Sequence, residues 1–266
     1  MKFQDDVGRN FQLDKIPRSI VSLVPSQTEL LADMGLQTAI AGLTRFCEFP
    51  SGLKKSVPIV GGTKNVDTNK IKHLAPDIIL CNKEENTREM VDELEKIAPV
   101  HVSCVKSIED NLRLIETYGK LFGREKQAIK LIERIIEERA LFHDNLKRST
   151  EKKVLYLIWK NPWMAAGGDT FINTMLEENK LQNVCKHIAR YPQLHLEELK
   201  GTSAPDLIFL SSEPYPFKEK HKAELEAYFP ESKILLADGT FFSWFGSRPA
   251  KAYRYFSEIQ KQIYHR

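Results

Sequence analysis

Ala75-Pro76-Asp77-Ile78-Ile79-Leu80 and Ala204-Pro205-Asp206-Leu207-Ile208-Phe209-Leu210 are two versions of one phrase. Each ends an amphipathic helical stretch, turns on a proline and runs into an apolar strand that stops at a polar loop. Two copies predict two similar α/β lobes. Ligands of open α/β sheets bind beyond the carboxyl ends of the strands, so the loops after Leu80 and Leu210 are the first places to look.

The flanking sequence extends the pattern. Residues 20–24 form an apolar run closed by Pro25, and Ser26-Gln27-Thr28-Glu29 matches the capping box S-x-x-E, which reads as a strand feeding a helix N-terminus. Further strands are expected at 39–43, 77–81 and 100–105, with a helix at 88–97 stopped by Pro99. In the second half, strands are expected at 154–159, 206–210 and 233–237, and helices at 171–181, 194–199, 218–228 and 250–263. Alternation of this kind favours parallel sheets. The fold class is therefore α/β, two Rossmann-like lobes with parallel sheets joined by a long rigid backbone helix. The N-terminal lobe is assigned to 1–106, connecting helices to 107–149 and the C-terminal lobe to 150–266. The connection has no Gly/Ser linker: 107–122 reads as one helix stopped by Gly123, and 124–146 as a second, about 35 Å long at 1.5 Å per residue. Its inward positions are expected to be Ile129, Ile132, Ile135 or Ile136, and Leu141 or Phe142.

Composition removes several functions. With 266 residues, 42% of them apolar and 28% charged, disorder is not expected. Lys+Arg 39 against Asp+Glu 36 is too balanced for a nucleic-acid footprint. Cys47, Cys81, Cys104 and Cys185 are widely spaced with no C-x-x-C, which reads as free thiols in a reducing compartment. The first ten residues contain two acids and no apolar h-region, so the expectation as written is a cytoplasmic chain, or a periplasmic or lipid-anchored one if a signal was trimmed. A monomer is expected.

Chemistry-bearing residues collect in the strand-end loops. The first lobe offers Arg45, Phe46, Cys47, Thr63, Asn82 and Lys83; the second offers Trp163, Met164, Tyr215, Phe242, Trp244, Phe245 and Arg248. Aromatic rings in solvated loops suit a mixed apolar and polar ligand, the alternative being that they fold back as small cores. Gly61-Gly62-Thr63 and Gly167-Gly168-Asp169-Thr170 continue as neither a Walker A nor G-x-G-x-x-G, and turn or N-cap use is the simpler role. His73, His101, His143, His187, His195, His221 and His265 form no metal-ligand spacing and read mostly as surface or capping residues. Cys47 is the one candidate axial ligand to a bound metal complex, against an ordinary buried thiol. No G-x-S-x-G elbow is present; Ser26, Ser211 and Ser243 have no histidine assigned to them, and Ser26 reads as a helix cap. Arg248 reads either as a bidentate anchor for a ligand anion or as a surface salt bridge.

On these residues, and on Arg18-Ser19-Ile20-Val21-Ser22-Leu23-Val24-Pro25-Ser26-Gln27-Thr28-Glu29 above all, the chain resembles the class III periplasmic-type substrate-binding proteins. This is the helical-backbone metal receptor group, and within it the vitamin B12-binding receptors of ABC transporters are most similar. The resemblance implies that Phe46 stands where cobalamin receptors carry a ring-packing tyrosine, with Thr63 or Gly62, and Asn82, near positions of pocket tryptophans. Met164 and Tyr191 then match aromatic contacts, and Trp244-Phe245 with Arg248 the C-terminal cleft segment. Glu197 matches one of two permease-docking glutamates; Asn69 stands at the other.

The reading that follows is a non-enzymatic binding protein. Its ligand is a small-molecule metal chelate, namely a corrinoid, haem or ferric siderophore held without a covalent bond in the cleft between lobes. The docking partner is an ABC permease. The alternatives are a cytoplasmic carrier or sensor on the same fold and, from another class, a glycosyl transferase-like enzyme.

Overall fold

The computed structural model describes residues 1–146, 150–199 and 204–264. Two compact units emerge: Met1–Ile135 with Phe245–Arg248, and Ile136–Trp244 with Pro249–Arg266.

The first unit opens with a hairpin, β1 (Lys2–Gln4) and β2 (Asn10–Gln12), absent from the sequence reading. The sheet follows: β3 (Ile20–Ser22), β4 (Ile40–Leu43), β5 (Ile78–Asn82) and β6 (Val100–Ser103), in the order β4-β3-β5-β6 and parallel throughout. Chain order reverses between β3 and β5, the switch point at which α/β sheets open a crevice. Between the strands run α1 (Pro25–Asp33), α2 (Leu53–Ser56), α3 (Thr68–Leu74) and α4 (Arg88–Leu94). Val21, Leu23, Ile71, Ile79, Cys81, Val91, Leu94 and Val102 fill one side of the sheet.

α5 (Ile108–Phe122) starts at a true capping box, in which Ser107 accepts from the Asp110 N–H while the Asp110 carboxylate accepts from Ser107 N–H. It ends at Gly123 in the left-handed region, φ 61°, as the sequence predicts. α6 (Glu125–Leu146) is the long helix, and the division between units falls inside it. Its buried positions decide between the expected alternatives: Ile135 and Phe142 point inward with Ala128, Ile132 is half-buried, and Ile136, Leu141 and, against expectation, Ile129 are exposed. The inward set Ala128, Ile135 and Phe142 recurs every seven residues, and Ile129 falls one position off that row.

The second unit carries β7 (Lys152–Trp159), β8 (Met164–Ala165), β9 (Leu181–Asn183), β10 (Leu207–Ser211) and β11 (Lys233–Ala237). Its order is β11-β10-β7-β8, with β9 also on β7; every pairing is parallel except β7 with β8. α7 (Phe171–Glu178), α8 (Lys222–Glu226), α9 (Thr240–Ser243) and α10 (Pro249–Tyr264) complete it. The expected helix at 171–181 is shorter because Leu181 starts β9, and 194–199 supplies only the 3₁₀ turn Leu196–Leu199. Residues 218–228 split into a 3₁₀ turn, Glu219–His221, and α8.

The repeated phrase does one job in both units. Asp77 accepts from the N–H groups of Arg18 and Ser19 beside the start of β3, and Asp206 accepts from Lys153 N–H in β7. Each aspartate thus ties the foot of its own strand to that of the strand beside it, satisfying edge donors that the ladder leaves open.

Gly167 and Gly168 also acquire a physical reason. Their N–H groups donate to Arg190 O and Ile188 O, and a Cβ at Gly168 would sit 1.9 Å from Lys186 O. The pair admits close backbone approach, and Thr170 caps α7 through Asn173 N–H. Gly168→Ala is expected to destabilise the second unit by about 3 kcal/mol, read as a lower urea midpoint, because backbone must move to make room.

Candidate functional site

In the first unit, the loops after β4 and β5 are fastened into one rim. Lys64 Nζ donates to Glu84 O at 2.6 Å and Asn86 Nδ2 to Thr63 O at 2.8 Å. Asn82 is buried and its amide is spent internally: Nδ2 donates to Ser103 O and Oγ, and Oδ1 accepts from Glu84 N–H. Asn82 and the half-buried Thr63 therefore shape the rim from behind, whereas Lys83 is exposed on it. Arg45 and Phe46 are exposed together, the guanidinium 5.7 Å from the ring centre. Gly62 lies beneath them, where a Cβ would come within 3.2 Å of the Phe46 ring.

Cys47 requires a correction. Its thiol is fully buried between Thr28 Oγ1 and Thr44 Oγ1, at 3.2 and 3.3 Å, and burial pushes its pKa up against those hydrogen bonds. A protonated, enclosed thiol presents no thiolate to a metal.

Ser26 is also reassigned. α1 has Val24 as its N-cap without a side-chain cap bond, and Pro25 presets the first turn. Glu29, the expected capping-box partner, instead accepts from Arg248 Nε at 2.8 Å. Both side chains are buried, and the Arg248 guanidinium lies 4.2 Å over the Phe49 ring. The salt bridge at Arg248 is thus an interior one, its charge already balanced by Glu29. Gly246, at φ 83°, is held through both its N–H and its carbonyl by the buried Asn111 amide.

In the second unit, the loops after β7 and β10 bring aromatic rings together. Trp163 lies parallel to Phe217 at 6.1 Å, Phe217 meets Tyr215 at 4.7 Å, and Tyr215 meets Trp159 at 5.6 Å. Trp163 and Tyr215 pack partly against the core of Leu155, Leu157, Ile208 and Leu210, so the fold-back alternative accounts for part of both rings. Met164 pairs with Trp159 across β7 and β8, and Tyr191 is half-buried nearby in sequence to the Gln193 bridge with Met164. A depression of about 300 Å³ at the ends of β10 and β11 is lined by Leu210, Ser212, Phe217, Leu236, Ala237 and Asp238.

Phe242 is the second correction. Its ring is wholly interior, against Tyr156, Phe209 and Phe256, because α9 turns that face inward. Trp244 is mostly buried, with Nε1 donating to Glu213 Oε1 at 2.9 Å beside the Ser243 hydroxyl at 2.6 Å. Phe245 is buried too. Glu213 lies on the strand-end loop after β10 but is not among the site residues expected from sequence, and the long gap to Trp244 gives the pair no local signal.

Among the histidines, His101 departs from the surface reading by lying buried beside Tyr118, and His221 is buried against Tyr215 and Phe217; His265 lies outside the described residues. No group of three or more metal-ligating side chains occurs among the described residues, and no helix among them is long and apolar enough to cross a membrane.

Two α/β units with polar and aromatic side chains gathered on their strand-end loops define a ligand-binding fold. The chain belongs to the periplasmic binding protein family, whose sequence model matches residues 20–227. That family is one of substrate-binding proteins, not of enzymes. An uncharacterized ABC transporter substrate-binding lipoprotein of Bacillus subtilis, YvrC, is 29% identical over 216 residues, covering 77% of this chain and 67% of the relative. The vitamin B12-binding protein of Yersinia pestis is 22% identical over 194 residues, 72% of this chain and 69% of the relative. In fold, the chain matches the periplasmic heme-binding protein RhuT from Roseiflexus with a TM-score of 0.81 at 18% identity, covering 93% of this chain and 98% of that one.

Proposed function

We propose that this chain is the ligand-binding component of an ABC importer and that it holds a metal chelate, a corrinoid, haem or ferric siderophore, on its strand-end loops. One observation carries the reading. Phe46, Phe49 and Trp159 are the aromatic side chains among the exposed large hydrophobics, at 51%, 38% and 39%, and all three stand at the carboxyl end of a parallel strand. Exposed rings at the strand ends of each unit, where α/β folds bind ligands, suit a ligand with apolar faces and a polar edge, and in the first unit the exposed Arg45 and Lys83 offer charge for such an edge. The names of the Yersinia and Roseiflexus proteins support this class of ligand.

Isothermal titration with dicyanocobinamide, cobalamin, haemin and ferric hydroxamates tests it. Micromolar or tighter binding of one of them is expected, and Phe46→Ala should weaken that binding by about 1–2 kcal/mol. Failure of all four with folded protein overturns the reading, and stabilisation by UDP- or GDP-sugars in its place would point to an enzyme. Permease docking is assigned to Glu197, exposed on the 3₁₀ turn Leu196–Leu199. Relatives named as a lipoprotein and as periplasmic favour an exported protein over the cytoplasmic carrier, which cell fractionation decides.

A further inference from the structure

Trp159 is the last residue of β7, and it continues the face on which Leu155 and Leu157 enter the core. A tryptophan there could have folded over that core, yet its ring stays 39% exposed. It is also braced. Tyr215 meets it at an interplanar angle of 71°, an edge contact that covers one side of the indole at most. Tyr215 N–H donates to Ile158 O at 3.3 Å, and its hydroxyl lies 3.4 Å from His221 Nε2. His221 is itself fixed, its Nδ1 lying 2.8 Å from Lys218 N and 3.1 Å from Lys218 O, while Nε2 faces the tyrosine. Phe217 then packs on both Tyr215 and His221 from the interior. A ring held this way has little freedom left to lose when a ligand covers it. The Trp159 Nε1–H has no hydrogen-bond partner among the described residues, so the edge of the platform keeps a donor available.

A single exposed tryptophan ordinarily needs no explanation. This one stands on a strand end, is propped by Tyr215, which Phe217 and His221 back in turn, and carries an unused donor. We propose that Trp159 is the stacking platform of the second unit and that it selects a flat, conjugated macrocyclic chelate. The macrocycle lies on the open face of the indole while a carbonyl or carboxylate oxygen on its periphery accepts from Nε1–H. An open-chain hydroxamate complex, globular and without a planar π-face, gains little from such a surface. The inference rests on the proposed function and narrows it to one class of chelate.

The test compares wild type, Trp159→Ala and Trp159→Phe, with Leu141→Ala as an exposed apolar control on α6. Each is titrated with haemin, with dicyanocobinamide and with ferrichrome, and its melting temperature is recorded. Wild type should bind a macrocycle in preference to ferrichrome. Trp159→Ala should weaken that macrocycle at least tenfold, Trp159→Phe should recover most of the loss through its remaining ring face, and the control should bind as wild type does. Equal macrocycle affinity in wild type and Trp159→Ala overturns the proposal, as does a wild type that prefers ferrichrome; the second result leaves chelate binding intact. Wild type that is folded and binds none of the probes overturns the proposed function itself. If the alanine variant melts early, the phenylalanine variant against wild type still separates loss of the donor from loss of the fold.

Discussion

Arg248→Leu should destabilise the first unit by about 3–5 kcal/mol, the cost of leaving a buried carboxylate without its cation. Glu29 on α1 and Arg248 in the segment Phe245–Arg248 are 219 residues apart, and their side chains are only 4% and 5% exposed. The guanidinium also stacks over Phe49 in the loop after β4, so three remote pieces of chain meet at one charge. Glu29→Leu should cost a similar amount for the converse reason, a buried guanidinium with its carboxylate removed. The double variant Glu29→Leu/Arg248→Leu should recover much of the loss, because a well-packed apolar pair needs no charge compensation. Urea unfolding of the four proteins reads the cycle directly. If Arg248→Leu alone shifts the midpoint by less than about 1 kcal/mol, the pair behaves as a solvent-screened surface bridge and the interior assignment is wrong.

The same pair marks where the sequence was readable and where it was not. The two Ala-Pro-Asp phrases, Gly123 and the apolar strands are local signals, and each appears in the structure within a residue or two of its expected place. Local reading misassigned Glu29 for a definite reason. Ser26-Gln27-Thr28-Glu29 fits a capping box, but Pro25 starts the helix two residues earlier and the carboxylate answers a guanidinium far along the chain. Cys47 and Phe242 fail likewise: position on a loop says that a side chain can be exposed, and only packing from Thr28 and Thr44, or from Tyr156 and Phe256, decides that it is not. Trp159 carries no burial signal of its own. It is expected only as the end of a strand, and its exposure follows from Tyr215 meeting it edge-on and leaving a face of the indole open.

Acid should weaken the first unit through His101. The ring is buried between Phe11 of β2, at 5.9 Å, and Tyr118 of α5, at 5.4 Å, with its Nδ1 unpartnered among the described residues. Burial pulls its pKa down to about 4, and the Arg9 charge acts in the same direction; the Asp5 carboxylate opposes both without overcoming them. In the unfolded chain the imidazole titrates near 6.5. Between those two values the unfolded state holds a proton that the folded state refuses, so stability is complete above about pH 6.5 and falls as pH drops toward 4. The loss from this one group amounts to about 3 kcal/mol by pH 4. Asp6, whose pKa burial raises, contributes with the opposite sign in the acid range, so wild type alone is a mixed readout. His101→Phe keeps an aromatic ring between Phe11 and Tyr118 while removing the titration. Urea midpoints at pH 7, 5.5 and 4 should therefore fall more steeply for wild type than for His101→Phe, and the gap between the two curves should open below pH 6.5. Parallel curves would show that the imidazole reaches solvent and protonates in the folded protein as readily as in the unfolded one.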